Sequence, residues 1–158
     1  MFYGYESLID IKPWHNRNVS NITDFIGMFA ECKKLTDISG LQNWNVSKGT
    51  DFNSMFSRCL NITSFNALKN WNVSNGKNFS NMFNKCSSLL DSRDFENWNV
   101  SNNNDFASMF NECSKLKEIE SLMNWNASKC NNFSTMFGEC SSLLNLKPLQ
   151  NWNFSNGK

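Results

Sequence analysis

The pentapeptide Asn-Trp-Asn-Val-Ser stands at 43–47 and returns at 70–74 and 97–101, followed by Asn-Trp-Asn-Ala-Ser at 124–128 and Asn-Trp-Asn-Phe-Ser at 151–155. The interval is 27 residues every time, without insertion or deletion. A fixed period of this size marks a stacked repeat protein, because one such unit cannot bury its apolar face alone. Other columns keep the same period: Phe29, Phe56, Phe83, Phe110 and Phe137; Cys32, Cys59, Cys86, Cys113 and Cys140; Phe25, Phe52, Phe79, Phe106 and Phe133. Met28, Met55, Met82, Met109 and Met136 do so too, as do Leu35, Ile62, Leu89, Leu116 and Leu143. Each apolar column is expected to be a stack in one continuous core.

Two periodicities alternate within a unit. Across 51–62, Phe52, Met55, Phe56, Cys59 and Ile62 fall at the spacing of one helix face. Asp24, Asp51, Asn78, Asp105 and Asn132 precede that pattern, where a side-chain oxygen could cap a helix N-terminus. The next stretch, 35–44, is too short and turn-rich for a second helix and reads as a short strand stacked in parallel on its copies. One domain is expected over 1–158, with an irregular first coil at 1–23 and regular coils over 24–158. In that first coil Trp14 lies in the column of Leu41, Arg17 in the tryptophan column and Tyr5 in the cysteine column. The last coil reads as incomplete, as in a segment of a longer array or one whose open end another molecule covers.

Charge narrows the function classes. Fifteen Lys and Arg against fourteen Asp and Glu leave a net charge of +1, and no basic run is present. Nucleic acid is therefore not an expected partner. No stretch is apolar enough to span or insert in a membrane, and the N-terminus reads as no export signal, so the compartment is left open. The unusual component is asparagine, 28 residues of 158, which favours turns and caps over helix or strand interiors.

The stretch at 70–90, NWNVSNGKNFSNMFNKCSSLL, resembles the BspA-like leucine-rich repeat of bacterial surface proteins, where Trp-Asp/Asn-x-Ser is followed by Met-Phe, then Cys, then Leu. The resemblance covers five units and most of a sixth. It implies an α/β, leucine-rich-repeat-like right-handed solenoid of about six 27-residue coils, each with a short parallel strand and a short helix. It also implies adhesion or interaction at a cell or particle surface rather than catalysis. The chain departs from the family pattern in two places. The aliphatic residue five after the tryptophan column survives only as Ile22, its copies being Gly49, Gly76, Asn103 and Cys130, and the strand segment reads L-x-x-I-x-x-L, one residue longer than usual.

Ten Asn-x-Ser/Thr sequons occur, at Asn18, Asn21, Asn45, Asn61, Asn72, Asn78, Asn99, Asn126, Asn132 and Asn153. Glycans on adjacent coils about 4.8 Å apart would collide. The columns of Asn43 and Asn45 are therefore read as ladders that satisfy turn backbones and one another. With one cysteine per coil and a single histidine, His15, no tetrahedral metal set has the required spacing, and no metal or cofactor is expected. Neighbouring cysteines could come within disulfide reach; buried thiols acting as small hydrophobes is the preferred reading. Cys130, outside that column, is a weak candidate for reactivity. Acidic residues recur at Asp10, Asp37, Asp91 and Glu118, and paired carboxylates could act on sugars. A solvated polar face is preferred, and no enzyme activity is expected.

Partner recognition is therefore assigned to the strand face, where copies differ while core columns stay constant. Its two columns are Asp10, Asp37, Ser64, Asp91, Glu118 and Asn145, and Lys12, Ser39, Asn66, Arg93, Glu120 and Lys147. The expected function is a non-catalytic interaction module for a protein or glycan ligand. The alternatives are end-to-end assembly through uncapped coils and, more remotely, a carbohydrate-active solenoid enzyme.

Overall fold

A computed structural model describes residues 2–157. Among them there is neither an α-helix nor an extended strand. The regular elements are six short 3-10 helices, one per unit: η1 (Lys12–Trp14), η2 (Ser39–Leu41), η3 (Asn66–Leu68), η4 (Arg93–Phe95), η5 (Glu120–Asn124) and η6 (Lys147–Leu149). Isolated parallel bridges join residues one period apart, running Asp24–Asp51–Asn78–Asp105–Asn132 on one side and Asp10–Asp37 and Asp91–Glu118 on another.

The helix expected at 51–62 is a tandem of turns. Met55 N donates to the Phe52 carbonyl at 3.2 Å and Cys59 N to that of Phe56 at 3.1 Å, closing two successive four-residue turns. Their third residues carry a positive φ, +57° at Ser54 and +61° at Arg58, as turns of this kind require. Such turns send their first and last residues inwards, so Phe52, Met55, Phe56 and Cys59 show the same i, i+3, i+4, i+7 spacing as a helix face. The backbone decides between the two. Phe52, Ser54, Phe56 and Arg58 donate their N–H groups to the next unit, to the carbonyls of Asn78, Ser80, Met82 and Asn84 at 2.9, 3.0, 2.9 and 2.7 Å. An α-helix would consume those donors internally; the turns leave them for the neighbour. The conformation repeats at Glu31, Asn81, Lys85, Ser108, Glu112, Thr135 and Glu139, with φ from +53° at Thr135 to +63° at Glu31.

The capping expectation holds in a different setting. Asp24 Oδ1 accepts from Ile26 N at 2.8 Å, Asp51 Oδ1 from Asn53 N at 2.9 Å, and Asn78, Asp105 and Asn132 repeat the bond. These side chains open a run of turns rather than a helix.

The strand expected at 35–44 is also replaced. Leu41 N donates to the Ile38 carbonyl at 2.9 Å and Gln42 N to that of Ser39 at 3.1 Å, winding the segment into η2. Leu35, Ile38, Leu41 and Trp44 recur every three residues, the period of a 3-10 turn, whereas a strand repeats every two. The extra residue in L-x-x-I-x-x-L thus selects the turn.

Successive units pack in register through their side-chain columns. Phe29, Phe56, Phe83, Phe110 and Phe137 stack with centroids 5.4, 6.0, 5.5 and 5.6 Å apart, and Phe2 extends the column, 5.3 Å from Phe29. Phe25, Phe52 and Phe79 stack at 5.2 Å with planes within 1°. Gly49 and Gly76 allow this approach, because a Cβ on either would lie 2.4 Å from the ring of Phe52 or Phe79. Where the same column carries Asn103 and Cys130, the stack opens to 6.2 Å and tilts to 25° and then 33°. Each buried indole reaches a backbone carbonyl in the preceding unit: Trp71 Nε1 to Leu41 O and Trp98 Nε1 to Leu68 O, both at 3.0 Å. Trp44, Trp125 and Trp152 repeat the bond. A large apolar ring is thereby buried with its one donor satisfied.

Candidate functional site: the 3-10 face

The two columns expected to recognise a partner frame the six 3-10 turns. Asp37 and Asp91 are half-buried; Asp10, Lys12, Ser39, Ser64, Asn66, Arg93, Glu118, Glu120, Asn145 and Lys147 are exposed. The first column is less free than its variability suggests. Asp10, Asp37, Asp91 and Asn145 each accept the backbone N–H two residues on, at 3.1, 2.9, 3.0 and 2.9 Å, and Ser64 Oγ accepts from Asn66 N at 3.1 Å. These side chains pin the entry to each turn, which explains why the column is restricted to Asp, Ser, Asn and one Glu. Glu118 alone makes no such bond among the described residues. The second column has no comparable duty.

Ion pairs tie the columns together. Lys12 Nζ lies 2.9 Å from Asp37 Oδ2 across one unit boundary, and Arg93 lies 2.6 Å from Asp91 within a unit. Hydrogen bonds from Ser39, with Lys12 alongside, lower the Asp37 carboxyl to about 2. The hydrogen bond from Arg93 likewise lowers Asp91. Asp94, outside both columns, spans a boundary: its Oδ2 accepts from Ser64 Oγ at 2.8 Å and Phe65 N at 2.7 Å. Between units the face is grooved. One groove of about 310 Å³ is lined by Thr36, Asp37, Ser39, Gln42, Ser64 and Asn66, and another of about 210 Å³ by Thr63, Ser64, Leu90, Asp91, Arg93 and Asp94.

The asparagine columns behave differently from the expected ladders. Asn43 and Asn45 and their copies are all exposed. Asn45, Asn72, Asn99, Asn126 and Asn153 each accept, through Oδ1, the N–H of the serine two residues on, at 2.9–3.2 Å. They fix their own turn and do not bond to one another. The ladder that does cross units lies three residues further along, where Asn75, Asn102 and Asn156 donate Nδ2 to the carbonyls of Ser47, Ser74 and Ser128. In two other units that column carries Lys48 and Lys129, whose Nζ groups bond to Asn21 and Asn102. The restriction of that column to Asn and Lys, from Asn21 to Asn156, was the available signal.

The six cysteines are free. Cys59, Cys86 and Cys113 are buried, and each donates its thiol to a phenylalanine carbonyl thirty residues back, at 3.1–3.2 Å. Burial raises their pKa well above the ordinary thiol value, and raises Cys32 and Cys140 to about 11. Cys130 is also buried and raised by that burial, so the reactivity considered for it has no basis here. His15 is exposed and bonds through Nδ1 to the Lys12 carbonyl. No cluster of three His, Cys, Asp or Glu suited to a metal occurs among the described residues, nor does any helix there have the length and apolarity to cross a membrane.

Units that repeat every 27 residues and share columns of rings, indoles and thiols define a repeat protein. Its family is the one described as Mycoplasma protein of unknown function, DUF285, whose model matches residues 1–118 and again 63–158; the chain belongs to that family. Comparison with curated proteins and with solved structures yields no match.

Proposed function

We propose that the chain is a right-handed solenoid segment related to BspA-like surface repeats, and that it acts without catalysis by presenting its 3-10 face to a partner at a cell or particle surface. The carrying observation is the contrast between columns. Phe, Trp and Cys recur unit after unit in the core, while the exposed second column runs Lys12, Ser39, Asn66, Arg93, Glu120 and Lys147. An extended face whose charge changes from unit to unit suits an irregular, charged ligand, and repeat proteins commonly bind on such faces. A protein partner is favoured over a glycan, because neither column carries an aromatic ring on which a sugar could stack.

The test leaves the turn anchors alone. Glu118→Lys, Glu120→Lys and Lys147→Glu together reverse exposed charges that make no ion pair among the described residues, each change costing about 0.5 kcal/mol or less. Binding of parent and variant to immobilised cell-surface protein is measured by interferometry. Parent binding that the variant loses, at unchanged melting temperature, supports the reading; equal binding by both, or none by the parent, removes it.

One observation favours end-to-end assembly as a second reading. Phe133, Met136, Phe137, Leu146, Leu149 and Trp152 border an open apolar groove of about 310 Å³ on the last described unit. A further 27-residue unit, of this chain or of another copy, would seat there. Sedimentation at micromolar concentration separates the readings: a discrete monomer argues against assembly by this chain.

A further inference from the structure

We infer that the apolar groove on the last described unit takes the first unit of a second copy of this chain, docked head to tail and in register. The inference rests on the end-to-end reading above and names the occupant, its register and the pairs that select it.

Each inner boundary shows what one unit requires of the next. Phe106, Ser108, Phe110 and Glu112 donate their N–H groups to the carbonyls of Asn132, Ser134, Met136 and Gly138 at 2.7–2.9 Å. The same groups one unit on, the N–H of Phe133, Thr135, Phe137 and Glu139, meet no acceptor among the described residues. Such a row of unpaired donors is a template for another backbone. In the opposite sense the Ile9 carbonyl accepts from Thr36 N at 2.9 Å and that of Lys117 from Leu144 N at 3.3 Å, while the Leu144 carbonyl accepts nothing. Apolar surface lies beside these groups. Leu146 is 54% exposed, whereas Ile11, Ile38, Phe65 and Ile119 of its column are at most 4% exposed. Phe133 and Phe137 are half-buried where Phe106 and Phe110 are fully buried.

The first unit carries the matching set. Tyr3 stands in the column of Ala30 and Ser57, whose carbonyls accept from Gly4 N and Glu31 N of the unit before at 2.9 and 2.8 Å; the Tyr3 carbonyl accepts nothing. Seated in register, it takes the Glu139 N–H. Ile9 N and Asp10 N are unbonded among the described residues and stand where Thr36 N and Asp37 N bond to Ile9 O, so they fall to the Leu144 carbonyl. Phe2 belongs to the column of Phe137 and continues its stack, with Tyr3, Tyr5 and Ile9, each 58–63% exposed, as apolar surround. Charge fixes the register. Lys12 Nζ lies 2.9 Å from Asp37 Oδ2 across the first boundary. No other inner boundary sets lysine against aspartate at these two columns, but Lys147 against the second copy's Asp10 does. Two last units placed face to face would instead oppose donor to donor.

The test treats the 158-residue chain with a water-soluble carbodiimide, which joins a carboxylate and an amine in contact as an amide, and maps the joined peptides by mass spectrometry. The Lys12–Asp37 pair, the same geometry within one chain, is the internal control. A Lys147–Asp10 peptide whose yield rises with protein concentration is expected. Sedimentation velocity gives a second readout, in which the parent grows with concentration. Leu144→Glu with Leu146→Glu at one end, and Tyr5→Glu with Ile9→Glu at the other, should each lose association alone. An equimolar mixture of the two variants should form dimers and nothing larger, since one intact end remains on each. A parent that stays monomeric overturns the inference and the end-to-end reading together. Association that survives the Tyr5 and Ile9 changes, or a control cross-link without the Lys147–Asp10 one, overturns the inference alone and leaves assembly through another pairing. Should either variant melt early, the cross-link on the parent decides.

Discussion

At the scale of single residues, the backbone at Ser54 separates the turn from the helix that its sequence suggests. Ser54 holds φ at +57° in the middle of the pattern at 51–62. An L-residue is strained there, while glycine is not. Ser54→Gly should therefore be neutral or stabilising by up to about 1 kcal/mol, and Ser54→Val destabilising by more than about 1 kcal/mol. Within an exposed helix glycine would instead cost about 1 kcal/mol, so the sign of the Gly variant in equilibrium denaturation distinguishes the two. A second residue-scale expectation concerns acid. The Asp37 carboxyl is lowered to about 2 by Ser39 and Lys12, below the roughly 3.9 of an unfolded chain. Its contribution to stability is then fully present above about pH 4 and is lost as pH falls towards 2. Carbon-detected NMR titration should show a depressed Asp37 midpoint, and Lys12→Ala should move it upwards.

At the scale of elements, η1 to η4 are each held from two sides. A side chain such as Asp37 fixes its entry, and an indole from the following unit takes a carbonyl at its end, as Trp71 does with Leu41 at 3.0 Å. Trp71→Phe keeps most of the buried ring and removes only the donor. The Leu41 carbonyl keeps its bond from Trp44 N at 3.0 Å, so the cost should be that of one net hydrogen bond, about 0.5–1.5 kcal/mol, together with the loss of ring volume. Thermal and urea denaturation of this variant check the value, and a change below about 0.5 kcal/mol would mean that the indole bond does not secure the turn.

At the scale of the whole molecule, the stack makes accessibility depend on position. Cys59, Cys86 and Cys113 lie inside the column, while Cys140 is half-exposed on the last described unit. Burial and raised pKa together suppress the thiolate that reacts with alkylating agents. Mass spectrometry after iodoacetamide treatment of the native chain should find Cys140 labelled first and the three inner thiols only on the timescale of local opening. Equal rates at all four would contradict the in-register column.

The sequence alone determined the unit length, the core columns headed by Phe25, Met28, Phe29, Cys32 and Leu35 and the identity of the turn-opening side chains, because these depend on period and residue type. It also picked out, as a strand face, the twelve residues that frame the 3-10 turns, ten of them exposed and Asp37 and Asp91 half-buried. What it did not determine is the conformation joining them. Phe52, Met55, Phe56 and Cys59 satisfy a helix face and a pair of turns equally well, and the choice rests on donors that leave the segment for Asn78, Ser80, Met82 and Asn84. That partner lies one period away and is absent from any local window. The same holds for the Asn45 column, read as a ladder between units and found to serve its own turn. Side-chain amides bond equally well along the chain or across it, and the distance between neighbouring units, a tertiary quantity, settles which.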